Sequence, residues 1–258
     1  ETKDYQYSIR GIIMNNRFVI VSALYNAEGW VDKSILSVKK QKYKNYIHVI
    51  VDDMSTDKSA EIIERTIAGD KNTIFIKNQS KKCSLENIHD AILNHSEDND
   101  IIVILDGDDF LASPDVLSKL NDFYNENECL LTYGSYINLS DRKRGKFSKE
   151  IPDWVIEKSL FREYAWCTSH LRSFKSHLFK SIKTEDLKDE NGDFYNMAGD
   201  LVIMFPMLEM AGFKGKYVKD ILYIWNDLNT YNEHKVDNVR QVSIERLIRS
   251  KEKYNVIK

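Results

Sequence analysis

The amino-acid sequence predicts an α/β fold in which a mainly parallel central sheet is covered by helices on both faces. Over the first half of the chain, short runs of β-branched apolar residues alternate with segments whose apolar residues recur at helical spacing. The short runs are continuously apolar, as expected for strands that are buried on both faces. Parallel neighbours need crossover connections, usually helices, and the alternation supplies them.

The predicted elements follow one another in the order β-α-β-α-β-α-β. The strands are expected at 17–24, 46–51, 73–77 and 101–105. The first and third helices are expected at 30–41 and 85–95, and apolar side chains recur at helical spacing in the first of them. The second helix has a start signal in Ser55-Thr56-Asp57, with Asp57 as the predicted N-cap. A helix over 115–124 and a strand over 129–137 extend the series.

The regular alternation fades beyond residue 137. Residues 141–150, DRKRGKFSKE, predict a charged, exposed loop, and residues 184–196 predict a polar loop. A helix with an apolar face follows, built on Leu201, Met204, Phe205 and Leu208. Since no linker interrupts the chain, we expect a single domain over 1–258, with a smaller C-terminal region.

The composition excludes several classes of protein. The formal net charge is -3, so no basic field indicates a nucleic-acid partner. No apolar stretch approaches the ~20 residues of a membrane span, and the N-terminal residues lack the layout of a signal peptide. We therefore expect a soluble protein without a transmembrane segment, in the cytoplasm or at the cytosolic face of a membrane. The three cysteines form no CxxC pair, which argues against a thiolate zinc site or a disulfide framework.

Polar clusters follow three of the predicted strands. They are Tyr25-Asn26, Asp52-Asp53 and Asp106-Gly107-Asp108-Asp109. In sheets of this type ligands bind beyond the carboxyl ends of the strands, so the three clusters predict one binding site.

The third cluster predicts a cation. Three carboxylates after a buried strand repel one another unless a cation or hydrogen-bond donors offset their charge. Mn²⁺ and Mg²⁺ prefer oxygen ligands and often bridge a carboxylate to phosphates. Gly107 allows a tight turn and the close approach of a ligand. The alternative is that Asp108 and Asp109 only cap the helix that begins near Pro114.

Two segments resemble family 2 glycosyltransferases, which have the GT-A fold. Residues 25–63 contain Tyr-Asn, a helix and then VDDMSTD, with Met54 where the family usually has Gly. Residues 105–111, LDGDDFL, resemble the DxD segment of that family. The resemblance implies a Rossmann-like GT-A fold with a nucleotide-sugar-binding half over 14–137 and an acceptor-binding half over 138–258.

The resemblance also implies roles in donor binding. Ala23, Tyr25 and Asn26 would line the pocket for the nucleotide base, and Asp52 and Asp53 would bind the base or ribose. In the DxD segment, Asp106 and Gly107 would lie at the ribose and sugar, and Asp108 would bind Mn²⁺ or Mg²⁺ on the diphosphate. Lys82, or its neighbour Lys81, would neutralise phosphate or remain solvated on the surface.

Residues 196–212 resemble the segment that carries the catalytic base of the family, although Gly199 replaces the first residue of the usual acidic pair. Asp200 would then remove the proton of the acceptor hydroxyl. His234 would be a further metal ligand or an exposed loop histidine. Four residues are candidates for contacts with the acceptor: Trp166, His170, Arg172 and Trp225. The alternative is that they are core aromatics and a surface arginine.

Together with these features, the resemblance implies an inverting, metal-dependent glycosyltransferase that moves a sugar from a UDP-sugar to a hydroxyl of a glycan, lipid or protein. Glucose is slightly favoured as the sugar, and galactose and N-acetylhexosamine are the alternatives. Gly199 and Met54, which depart from the family pattern, keep open the alternative of a catalytically inactive module that binds carbohydrate or nucleotide. A haloacid-dehalogenase phosphatase would carry its aspartate after a strand near the N-terminus. A sugar nucleotidyltransferase would carry a Gly-rich loop where this chain has SALYNAEG.

Overall fold

The computed structural model describes residues 14–229 and 238–257, and strands from both halves of the chain join one sheet. Strands β1 to β8 are Phe18–Leu24, Tyr46–Asp52, Thr73–Lys77, Ile101–Ile104, Phe110–Leu111, Leu131–Asn138, Arg172–Lys175 and Gly215–Trp225. Their spatial order is β3-β2-β1-β4-β7-β6-β8-β5. The first four strands in this order, β3, β2, β1 and β4, are parallel to one another, and β6 is parallel to β8. Strand β7 runs antiparallel to β4 and β6, and β5 runs antiparallel to β8.

The helices follow the predicted order in the first half of the chain. Helices α1 to α8 are Val31–Lys39, Ser59–Thr66, Ser84–His95, Val116–Asn127, Asp153–Glu157, Ser176–Lys180, Gly199–Ala211 and Asn238–Ser250. Across the described ranges, no helix is both long and apolar enough to span a bilayer. The mixed α/β architecture predicted from the sequence is confirmed.

The sheet is buried on both faces, as the continuously apolar strands predict. In β1, Val19 and Val21 pack in a core cluster with α3 and α7, whereas Phe18 and Ile20 pack in a second cluster with residues of α1 and α4. Residues 201–211 of α7 are all buried, so this helix lies in the interior. Its first turn therefore holds a fixed position relative to the sheet, and Asp200 is part of that turn.

The predicted N-cap Asp57 is displaced by one position. Helix α2 begins at Ser59, with Lys58 at the N-cap. The Asp57 carboxylate still accepts hydrogen bonds from the backbone N–H and the hydroxyl of Ser59, at 2.9 and 2.5 Å. It also accepts the N–H of Glu28 at 3.0 Å, and so it joins the start of α2 to the loop after β1.

Strands β7 and β8 were not predicted from the sequence. Strand β7 reads RSFK, which has no apolar run, yet it lies between β4 and β6 in the middle of the sheet. Strand β8 pairs with β6 across a register shift near Gly134 and Ser135. Both pairings join segments that are far apart along the chain, and local periodicity does not report such contacts.

Candidate active site

The turn of residues 106–109, here called the DGDD turn, follows β4 at the edge where the carboxyl ends of β1, β2 and β4 meet. Gly107 is buried against the end of β1, and a Cβ atom at this position would lie 2.5 Å from the Cβ of Leu24. That separation is well inside van der Waals contact, so a larger residue would displace the turn. Gly107 therefore allows the aspartates to sit directly on the sheet edge.

The last two aspartates of the turn bind β8 and the chain that follows it. The Asp109 carboxylate accepts hydrogen bonds from the Tyr223 hydroxyl and from the backbone N–H of Asn226, both at 2.6 Å. The Asp108 carboxylate accepts the side-chain amide of Asn229 at 2.6 Å. Asp109 is 1% exposed, whereas Asp108 is partly exposed.

Neither carboxylate caps a helix. Helix α4 begins at Val116, and Asp115 occupies its N-cap. The alternative in which Asp108 and Asp109 serve only as helix caps is therefore wrong.

Arg172 reaches the same edge because β7 is antiparallel to β4, which sets Arg172 opposite Ile104. Its guanidinium Nη2 lies 3.8 Å from a carboxylate oxygen of Asp200, at the start of α7. Arg172 is 7% exposed, and its Nε atom has no hydrogen-bond partner among the described residues. A buried donor without a partner is costly, so an oxygen acceptor placed against this atom would stabilise the arrangement.

His170 lies between Arg172 and the aspartates. Its ring stacks on that of Tyr223 with a centroid separation of 4.5 Å and an interplanar angle of 8°. Nη2 of Arg172 lies 3.2 Å from Nδ1 of His170. Burial, together with the charge of Arg172, lowers the pKa of His170 well below its usual value, so the imidazole is neutral.

The carboxylates are held in an environment that disfavours their charge. Burial raises the pKa of Asp106 to about 6, repulsion by Asp108 and Asp200 adds to the effect, and Arg172 opposes it. Burial also raises the pKa of Asp108. A cation bound here would offset both the burial and the repulsion.

The side chains at this edge fit a divalent metal. Asp106, Asp109 and His170 each offer a ligand atom, and these atoms lie within 4.8 Å of one another. Carboxylate oxygens with a neutral imidazole suit Mn²⁺, and carboxylates alone suit Mg²⁺. Asp108 presents a further carboxylate on the same turn, bound to Asn229. His234, the other predicted ligand, lies outside the described residues.

The clusters after β1 and β2 form the neighbouring part of the edge. The side chains of Asn26 and Asp52 both bind the loop after β2. The side-chain oxygen of Asn26 accepts the N–H of Thr56 at 2.8 Å, and the Asp52 carboxylate accepts that of Ser55 at 3.1 Å. Ala23 is a half-buried residue of β1, adjacent in the sheet to Val51 of β2. These contacts hold the predicted base-binding residues together.

Of the two candidate lysines, Lys81 lies with these residues. Its ammonium is 2.9 Å from the ring centroid of Tyr25 and 3.6 Å from a carboxylate oxygen of Asp53. The ammonium of Lys82 is instead paired with Asp90 and Glu86 at 2.5 and 3.2 Å. The backbone N–H of Lys82 nevertheless donates to Asp53 at 2.8 Å.

The four predicted acceptor contacts are not all in one place. His170 and Arg172 lie beside the DGDD turn, and Trp225 is separated from His170 by the ring of Tyr136. Trp166 packs instead edge-on against Phe205 of α7, at 5.6 Å, and lines an apolar cleft.

Tyr223 and Asn229, whose side chains contact the DGDD turn, were not singled out from the sequence, and Asp109 was named in the aspartate cluster without a role of its own in the binding site. Asp109 belongs to the aspartate cluster, and that position was the available signal. Tyr223 and Asn229 lie more than 110 residues away along the chain, and nothing local marks them.

Met54 occupies the position at which the family motif usually has Gly, and its φ of 60° lies in the left-handed region. This conformation costs a residue with a side chain roughly 1–2 kcal/mol. The Met54 side chain is 44% exposed, so its removal eliminates few packing contacts. We expect Met54→Gly to raise the free energy of unfolding by about 0.5–1 kcal/mol, after allowing for the greater freedom of Gly in the unfolded chain.

Urea denaturation measures this change, and Met54→Ala is the matched control because it shortens the side chain without relieving the backbone. A Gly variant that is no more stable than the Ala variant would contradict the strain at this position.

Comparison with known proteins agrees with this geometry. The profile of glycosyl transferase family 2 matches residues 19–188, about two thirds of the chain. An uncharacterized glycosyltransferase of Haemophilus influenzae is 37% identical over 119 residues, which are 45% of this chain and 46% of the relative. Glycosyltransferase GlyA of Streptococcus pneumoniae is 24% identical over 70% of this chain and 27% of its own length. The chain thus spans less than half the length of these two relatives.

Solved structures share the fold. The S. aureus protein TarS (1–349) in complex with UDP-GlcNAc has a TM-score of 0.64 at 17% identity, over 90% of this chain and 65% of that chain. The mannosyltransferase PcManGT from Pyrobaculum calidifontis, in complex with GDP-Man and Mn²⁺, has a TM-score of 0.61 at 13% identity, over 92% and 65%. The profile match and the shared GT-A architecture support the prediction of a glycosyltransferase, and the chain belongs to glycosyl transferase family 2.

Proposed function

We propose that this chain transfers a sugar from a UDP-sugar to a hydroxyl of a glycan, lipid or protein acceptor, with metal dependence and inversion of the anomeric configuration. The observation that carries the proposal is the convergence of the DGDD turn, Arg172 and Asp200 at one edge of a family 2 fold. Glucose is the sugar favoured from the sequence, and the TarS complex with UDP-GlcNAc makes N-acetylglucosamine the first competitor to test.

The polar clusters after β1 and β2 would bind the nucleotide part of the donor. Tyr25 offers an exposed ring for the base. The Asp53 carboxylate is buried, and one of its oxygens accepts the N–H of Lys82, so the other oxygen would meet the edge of a pyrimidine or the ribose. Lys81 lies over the Tyr25 ring, so a base that stacks there displaces its ammonium, which then becomes available to a phosphate oxygen.

The DGDD turn would bind the divalent metal. Asp108 would bind Mn²⁺ or Mg²⁺, with Asp106 beside it, and His234 stays a prediction. When bound, the ion supplies positive charge that stabilises the departing nucleoside diphosphate.

The transfer itself needs a base opposite the leaving group. Asp200 would accept the proton of the acceptor hydroxyl, and the Arg172 guanidinium lies 3.8 Å from its carboxylate. Arg172 would also direct its unpaired Nε toward an oxygen of the substrate. Direct attack by the hydroxyl inverts the anomeric carbon, and no nucleophile from the protein is required.

A thermal-shift series tests the proposal, with UDP-glucose, UDP-GlcNAc and GDP-mannose, each with Mn²⁺ and with a chelator. We expect a UDP-sugar to raise the melting temperature more with Mn²⁺ than with the chelator, because a ligand of the native state stabilises it by mass action and the metal would strengthen donor binding. The bound sugar is then tested for hydrolysis and transfer. A chain that binds the donor but releases no UDP would support the inactive binding module instead. No stabilisation by any UDP-sugar would contradict the proposal.

A further inference from the structure

The third aspartate of the DGDD turn has a different environment from the other two. Each oxygen of Asp109 accepts a hydrogen bond of 2.6 Å, one from the Tyr223 hydroxyl and one from the N–H of Asn226. The side chain is 1% exposed. Its contacts therefore face the protein, toward β8 and the residues after it.

Tyr223 joins the first and third aspartates. Its hydroxyl donates to Asp109 and accepts the backbone N–H of Asp106 at 3.3 Å. The phenol ring is fully buried, and the His170 ring is stacked on it. The hydroxyl is thus held in place, and it links the two ends of the DGDD turn.

The segment after β8, residues 226–229, completes the arrangement. The Asn226 side-chain oxygen accepts the N–H of Leu228 at 3.2 Å, which folds the segment into a turn. Its first residue binds Asp109 through the backbone, and its last, Asn229, donates its side-chain amide to Asp108 at 2.6 Å. A displacement of the first residue would therefore move the partner of the Asp108 carboxylate.

We infer that Asp109 is a positioning residue, which fastens the 226–229 segment and Tyr223 to the DGDD turn and thereby orients Asp106 and Asp108 toward the donor and its metal. This inference rests on the proposed function. The rival is that Asp109 is itself a metal ligand, together with Asp106 and His170, whose ligand atoms lie within 4.8 Å. In that alternative, the oxygens of Asp109 would have to coordinate the ion while they also accept these two short hydrogen bonds.

The change Asp109→Asn separates the two roles. The amide has the shape of the carboxylate, its oxygen still accepts the Asn226 N–H, and its NH₂ group donates to the Tyr223 hydroxyl, which then turns toward Asp106. A ligand role needs the negative charge, whereas a positioning role needs only the hydrogen bonds. Asp106→Asn is the matched comparison, since it makes the same chemical change at the first aspartate.

The test titrates UDP into each variant by calorimetry, with Mn²⁺ and with a chelator, after thermal unfolding has established that the variant folds. We expect Asp109→Asn to keep Mn²⁺-dependent UDP affinity within about threefold of the unchanged protein, and Asp106→Asn to lose about tenfold or more. Asp109→Ala, which removes both hydrogen bonds, should weaken the Mn²⁺-dependent affinity about tenfold and leave the affinity in chelator unchanged.

Tyr223→Phe keeps the stacked ring and removes only the hydroxyl. It therefore provides a second test of the inference if the Asp109→Ala variant does not fold. We expect it to raise the donor KM in the presence of Mn²⁺ by roughly threefold to tenfold, because Asp109 and the Asp106 N–H both lose a partner. If Asp109→Asn loses Mn²⁺-dependent binding as fully as Asp106→Asn, Asp109 is a ligand and the inference is overturned. It is also overturned if folded Asp109→Ala and Tyr223→Phe bind and turn over normally. Absence of UDP binding to the unchanged protein would instead contradict the proposed function.

Discussion

Asp200→Asn is expected to reduce sugar transfer by about 10²–10⁴-fold while leaving donor affinity within roughly threefold, because a general base contributes to that extent and the amide cannot accept the proton. The carboxylate lies in the first turn of α7, where one oxygen accepts the N–H of Leu201 at 3.0 Å and the other faces Arg172. Asn keeps the hydrogen bond to Leu201, so the turn should stay folded. Initial rates of UDP release with acceptor, together with calorimetric donor binding, measure the two effects.

Asp193→Asn is the control, because it makes the same change at an exposed residue of the loop that leads into α7. It should alter neither rate nor affinity. If Asp200→Asn weakens donor binding and leaves turnover normal, Asp200 is a donor contact and the assigned role as base is wrong.

The second large effect is expected at Asp108. We predict that Asp108→Ala lowers donor affinity in the presence of Mn²⁺ by at least ~10–100-fold, the loss seen even when outer partners of a metal ligand are removed. Affinity measured in chelator should change little, because the base and ribose contacts after β1 and β2 are untouched. A loss of donor affinity with Mn²⁺ but not with the chelator would show that Asp108 acts through the metal.

Asp98→Ala serves as the control at a carboxylate whose side chain is 75% exposed and which pairs with Lys180 at the opposite end of β4. It should leave both affinities unchanged. Unchanged Mn²⁺-dependent affinity in Asp108→Ala would remove Asp108 from the metal site.

Much of the donor side could be predicted from local sequence because its strands are short, apolar and sequential. Continuously apolar runs with helical segments between them define β1 to β4, and the polar residues directly after β1, β2 and β4 then meet at one edge. Even Met54, which departs from the family motif, adopts the backbone conformation that Gly would favour there. The confirmed fold and family follow from this first half.

The sequence by itself thus determined the parallel strands β1 to β4, the position of the aspartate cluster and the family resemblance, which proved correct. Only the tertiary structure decided what surrounds the cluster: Arg172 beside it through the antiparallel β7, Tyr223 from β8 beneath it, and Asn229 on Asp108. These partners come from β7, from β8 and from the segment that follows β8, and the pairing of these strands depends on contacts between distant segments. Burial and pairing of such segments are set when the whole sheet assembles, so local periodicity carries no record of them.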